Sequence, residues 1–104
     1  MIRVVNLRNY SPINGEILIK VDRSTVLGNP FMMRTESERD LVCDKYAHWL
    51  NEQVKTNRPI CDALNQIWSL AKRGNYIALG CWCAPKRCHG DYIKQLVESR
   101  LLHP

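Results

Sequence analysis

At 104 residues, with 45% apolar and 24% charged side chains, the chain has the size and composition of one globular domain that buries its own core, which excludes a disordered tail. No apolar run reaches the roughly 18 residues of a membrane-spanning helix, and the first residues lack the succession of a signal peptide, so a cytoplasmic protein with no membrane partner is expected. Fifteen Lys and Arg against ten Asp and Glu leave a formal +5, which favours anionic partners, although the basic residues are scattered and form no dense arm.

Residues 2–7 are a short β-branched run closed by Asn9, Ser11-Pro12 and Asn14-Gly15, the pattern of a strand followed by turns. Residues 16–21 read as a second strand, which either pairs with the first as a hairpin or sits apart from it. Residues 22–35 show no period and carry Gly28-Asn29-Pro30 in their middle, so they form a long structured loop of the kind that tends to be functional. Ser37 is placed to cap a helix, with Asp40 three residues on, and Leu41, Tyr46, Trp49 and Leu50 recur at helical spacing across 37–54.

Pro59 opens a second helix, whose stripe of Ile60, Leu64, Ile67, Trp68 and Ala71 is closed by Lys72-Arg73 and Gly74. Residues 76–81 are apolar without alternation, as expected of a strand covered on both faces and central in a sheet. Tyr92, Ile93, Leu96, Val97 and Leu101 give a last helix that ends before Pro104. The order β-β-α-α-β-α predicts a single α/β domain over residues 1–104, a small Rossmann-like layered fold of about three strands and three helices. In such sheets ligands bind beyond the carboxyl ends of the strands.

One segment at such an end carries chemistry: Cys81-Trp82-Cys83-Ala84-Pro85-Lys86-Arg87-Cys88-His89-Gly90-Asp91. Five cysteines without a secretion signal read as free thiols, metal ligands or catalytic groups rather than a disulfide framework. In the leading reading the segment is half of a pocket for a phosphate- or ribose-bearing molecule. Cys88, His89 and Asp91 are then the catalytic candidates at a helix start, while Arg87 and Gly90 favour an anion and its close approach. Zinc held by Cys81, Cys83, Cys88 and His89 is the metal reading, against which stand the diverging side chains of adjacent Cys and His. A thiol enzyme with Cys81 six residues before Arg87 matches phosphatase-loop spacing, but Pro85 removes one of the backbone donors such a loop needs. The plain alternative makes the cysteines small core residues beside a turn, the reading given to Cys43 and Cys61 on predicted helix faces.

The 22–35 loop supplies the other candidates. Arg23, Gly28, Asn29 and Phe31 combine a charge, a flexible backbone, an amide and an aromatic face, a mixture that suits a nucleotide; equally, Asn29 could tie a turn and Phe31 anchor the core. His48, Trp49 and Trp68 are assigned to helix packing, and Met32 and Met33 to the core edge.

Arg23, Gly28-Asn29-Pro30-Phe31, Ser37-Glu38-Arg39, Tyr46, Trp49-Leu50 and the 81–91 segment, in this order and over nearly the whole chain, resemble the domain of unknown function 4326 of bacteria and their phages. The resemblance implies a small stand-alone protein, in the host cytoplasm if phage-encoded, with an α/β fold and no stated activity. Asp22 stands where many members are expected to carry glycine beside the arginine.

The expected function is binding of an anionic small molecule, a nucleotide or nucleoside derivative, without a cofactor; its catalytic form is an enzyme acting on a glycosidic or phosphate bond. Arg23, Asn29 and Phe31 hold the ligand, the 88–91 helix start faces its anionic part, and His89 or Asp91 is acid or base. The rivals are a phage-type factor that engages a host protein or nucleic acid through its basic surface without catalysis, and a structural zinc module.

Overall fold

The computed structural model describes residues 1–13 and 15–102. The turn expected at Asn14 and the stop at Pro104 therefore lie outside the described residues. Three strands, β1 (Ile2–Asn6), β2 (Ile17–Lys20) and β3 (Ile77–Cys81), form one sheet in the order β1-β3-β2, with both outer strands parallel to β3. The first two strands are thus not a hairpin: β3 inserts between them. As its unbroken apolar run requires, β3 is buried at all five residues.

Among the described residues three helices follow: α1 (Arg39–Gln53), α2 (Arg58–Lys72) and α3 (His89–Leu102), with a 3-10 turn at Glu36–Glu38 before α1. The helix entrance at α1 corrects the expected cap. Glu38, not Asp40, reaches back, and its carboxylate accepts the N–H groups of Arg34 at 2.8 Å and Thr35 at 3.4 Å, so the turn begins at Thr35 rather than Ser37. The buried stripe of α1 is Val42, Cys43, Tyr46 and Leu50, while Leu41 is exposed. Asn57 caps α2 by accepting the Ile60 N–H at 3.2 Å, with Pro59 in the first turn. Gly74, at φ +91°, ends α2 by passing its N–H to the Ala71 carbonyl, and Asn75 passes its own to Leu70, a Schellman closure.

All three helices contribute to one core with one face of the sheet, where Ile2, Val21, Ile77 and Leu79 meet Tyr46, Leu50, Ile67 and Ile93. The connection from β1 to β2 lies on the opposite face, where Leu7 packs against Gly80. Glu16 holds that connection: its carboxylate accepts from Arg3 Nε at 2.7 Å, Arg3 Nη2 at 2.8 Å and the Tyr10 hydroxyl at 2.9 Å, chiefly the arginine drawing its pKa down to about 2. No helix among the described residues is long and apolar enough to cross a membrane.

Because the sheet is all parallel, the carboxyl ends of its strands share one edge, and the 22–35 loop leaves from there. Gly28 folds this loop back onto itself. A Cβ at Gly28 would sit 2.5 Å from Arg23 Cα and 2.6 Å from the Asp22 carbonyl oxygen, both backbone atoms that cannot rotate aside. Gly28→Ala is therefore expected to cost ~1–3 kcal/mol of stability by overpacking. Urea unfolding reads this directly, and an unchanged midpoint would contradict the close approach.

Candidate functional site

Above the carboxyl ends of β2 and β3 lies a hollow of about 310 Å³. Three segments build it: the 22–33 part of the long loop, the first turns of α1, and residues 82–89 leading into α3. The two segments singled out in the sequence, around Asn29 and around His89, converge on it. Of the sequence candidates, Arg23, Asn29, Phe31, Arg87, Cys83, Cys88 and His89 line the hollow, whereas Gly28, Cys81, Gly90 and Asp91 stand outside the lining.

His89 is the first residue of α3 and its ring is buried at the base of the hollow. Its Nε2 contacts the Val21 carbonyl at 2.5 Å; a carbonyl only accepts, so Nε2 carries the proton and Nδ1 keeps a lone pair. Nδ1 has no hydrogen-bond partner among the described residues. Burial pushes the imidazole pKa below its ordinary value, against the opposing pull of the Val21 carbonyl, so the ring is neutral at neutral pH. The buried Tyr46 ring meets it edge-on at 5.0 Å, and the Tyr46 hydroxyl donates to the Leu27 carbonyl at 2.7 Å, fixing the loop and the ring from one side chain.

Arg23 donates from Nε to the Asn29 carbonyl at 3.1 Å and from Nη2 to the Phe31 carbonyl at 3.2 Å. Among the described residues it has no carboxylate at ion-pairing distance. The other two arginines of the lining are neutralised in place. Arg39 pairs with Glu36 at 2.7 Å and also donates to the Arg87 carbonyl at 2.8 Å, while Arg87 pairs with Asp40 at 3.0 Å and Asp44 at 2.8 Å. These ion pairs raise both guanidinium pKa values and draw the Glu36 carboxyl down to about 2. They also dock the 82–89 segment on α1. Of the lining charges outside these ion pairs, Arg23 is the cation and Asp22, held by Ser24 and Trp82, the anion.

Asn29 works mainly inside the loop, its Oδ1 accepting the Phe31 N–H at 2.9 Å and its Nδ2 donating to the Val42 carbonyl at 3.4 Å. That is an Asx-type turn, and it aims Phe31 at the hollow. On the opposite rim the half-exposed Trp82 donates its indole N–H to Asp22 at 3.0 Å, so Asp22 joins the end of β2 to the end of β3. Ser24 first and then Trp82 lower the Asp22 pKa. From β1, Asn6 Nδ2 donates to the Trp82 and Ala84 carbonyls at 3.2 and 3.0 Å and steadies the same loop.

The four candidates outside the lining have structural partners. The Asp91 carboxylate accepts the Cys88 N–H at 3.0 Å and caps α3, and its side chain faces a separate surface depression with Lys94 and Glu98. Gly90 lets α3 approach β1: a Cβ there would meet Val4 Cγ1 at 3.1 Å. The first turn of α3 thus spends donors internally, on Asp91 and on the Cys88 sulfur, and the anion site expected there is largely closed. Cys81 lies beneath Cys88, with the two sulfurs 3.1 Å apart. The Cys88 thiol donating to it lowers the Cys81 pKa to about 6, and the same contact with burial raises Cys88.

Of the four groups named for zinc, two are adjacent, but His89 Nε2 is committed to Val21, and no three of the described His, Cys, Asp or Glu side chains are gathered as ligands. The phosphatase spacing fails, because Arg87 turns to α1 while Cys81 is buried below the hollow. Sequence reasoning missed Arg39, Val42, Cys43, Met33 and Trp82, all of which line the hollow. Trp82 and Arg39 stand within the recognised motifs, and that proximity was the available signal; nothing in helical periodicity says which apolar face of α1 overhangs a hollow.

The family described as domain of unknown function 4326 matches residues 5–99. The chain belongs to that family. No curated protein and no solved structure matches it. The matched span of domain 4326 takes in every residue of the hollow, from Asp22 to His89.

The neutral buried His89 has a measurable consequence. In the unfolded chain it titrates near 6.5, whereas the folded pKa lies lower, so the unfolded state takes up the proton first as pH falls. Its contribution is therefore complete above that value and is lost progressively below it. The stability difference between wild type and His89→Gln should narrow between about pH 7.5 and about pH 5.5 in urea titrations. A difference that stays constant or widens would contradict a neutral ring.

Proposed function

We propose that the hollow binds a nucleotide or nucleoside derivative and that His89 is the group that exchanges a proton with it. The observation that carries this reading is the convergence, in one cavity, of a cation without a carboxylate partner, an aromatic face and a neutral imidazole with a free lone pair: Arg23, Phe31 and His89. Arg23 meets the anionic part of the ligand, Phe31 offers a surface for a base or sugar, and Nδ1 accepts a hydroxyl or water proton. The volume, about 310 Å³, stands at the lower end of the roughly 300–1,000 Å³ of ligand pockets, which favours a mononucleotide or nucleoside over a dinucleotide.

In the catalytic form of this reading, His89 draws a proton from a water or hydroxyl beside a glycosidic or phosphate bond, while Arg23 balances the developing negative charge. Asp91 takes no part, since its carboxylate caps α3. Asn29 acts by holding the turn that presents Phe31 and Arg23.

Thermal unfolding with AMP, adenosine and ADP-ribose tests the proposal. At least one should raise Tm, by an amount equivalent to ~2.7 kcal/mol when present at about 100 times its Kd. The shift should disappear in Arg23→Gln and His89→Gln and persist in the remote surface variant Lys55→Glu. No shift with any of the three, or a shift that survives both hollow variants, would refute it.

A further inference from the structure

We propose that Cys81 and Cys88 form a redox-active dithiol, converted to a disulfide by a small peroxide that enters through the hollow. Three features of the fold lead there. The two sulfurs lie 3.1 Å apart, in contact, so closing to the ~2.05 Å of a disulfide needs a shift of about 1 Å, within reach of side-chain rotation. Both thiols are buried, at 1% and 3% exposure, which shields the pair from bulky disulfides and from other chains. Cys88 nevertheless lines the hollow while Cys81 lies behind it, so a molecule of peroxide size has a route to one sulfur, and the second waits in contact with the first.

The reaction balances with hydrogen peroxide as the oxidant. The Cys88 proton passes to the Cys81 sulfur it already contacts, and the Cys88 thiolate so formed attacks one peroxide oxygen; the O–O bond breaks, and the departing hydroxide takes that proton from Cys81 and leaves as water. Cys88 is then a sulfenic acid. The Cys81 thiolate then attacks the Cys88 sulfur, the S–O bond breaks, and the hydroxide that leaves takes a proton from solvent to become a second water. Two electrons pass from the two sulfurs to the peroxide, and a dithiol reductant reverses the change.

The site has a position that gives the bond an effect. Cys81 is the last residue of β3 and Cys88 directly precedes α3, so the disulfide closes the 82–87 loop, which carries Trp82, Cys83 and Arg87 of the hollow. Cys43 and Cys83 line the same cavity and are the competing thiols. Contact distance selects Cys88 and Cys81 over them.

The full chain, reduced and freed of reductant, is exposed to stoichiometric hydrogen peroxide, denatured, alkylated and digested. Reactive thiols should fall from five to three, with a mass loss of about 2 Da and a peptide joining Cys81 to Cys88, and dithiothreitol should restore all five. Cys61→Ser, outside the hollow, should oxidise at a rate within about twofold of wild type, and Cys81→Ser should accumulate sulfenic or sulfinic acid at Cys88 without a disulfide. The wild-type peptide map decides the matter whether or not a variant folds. Five thiols persisting after peroxide, or a disulfide that maps to Cys43 or Cys83, would overturn the proposal.

Discussion

A strand that ends at the edge of a parallel sheet leaves a carbonyl beyond the reach of the ladder, and a buried carbonyl must find a donor. Val21 stands at that point, just past β2, fully buried, with its N–H still on the Gly80 carbonyl at 2.9 Å. Its own carbonyl is met by His89 from the start of α3. This contact ties the exit of β2 to the exit of β3 across the top of the sheet, so that the 22–35 and 82–88 loops, far apart in the chain, face each other. Tyr46 supplies the third side from α1, with its hydroxyl on Leu27 and its ring against His89. Breaking such a buried pair leaves an unsatisfied group, at ~1–3 kcal/mol each.

Charge in the hollow is set by which arginines are already paired. Arg39 and Arg87 spend their charge on Glu36, Asp40 and Asp44, and in doing so fasten α1 to the 82–89 segment. Arg23 instead spends donors on two backbone carbonyls, which fixes its direction without cancelling its charge. A formal +5 for the chain would not have distinguished these roles, since all three residues count alike in it.

The fold was legible where periodicity is unambiguous. The unbroken apolar run of β3 placed it at the centre of the sheet, and the stripe and closing glycine of α2 marked that helix within a residue. Strand pairing was not legible, because two short β-branched runs carry no record of which neighbour each will bond. On α1, Leu41 and Val42 are both apolar and adjacent, and only the packing shows that Val42 turns inward. In the site, Phe31, Cys88 and His89 were readable from residue type near a strand end. Asp91 and Gly90 were not, because a capping carboxylate and a packing glycine look in sequence the same as a catalytic acid and a ligand-contact glycine.

The joining of the two loops and the proposed proton exchange both pass through the His89 ring. Nitrogen-detected correlation spectra of the histidine side chains, recorded at neutral pH with and without AMP, observe it directly. The expected result is a neutral His89 with its proton on Nε2, slowly exchanging because it is held by Val21, and an Nδ1 resonance displaced by AMP at concentrations that raise Tm. A protonated ring, a proton on Nδ1, or an Nδ1 signal indifferent to AMP at concentrations that raise Tm would contradict it.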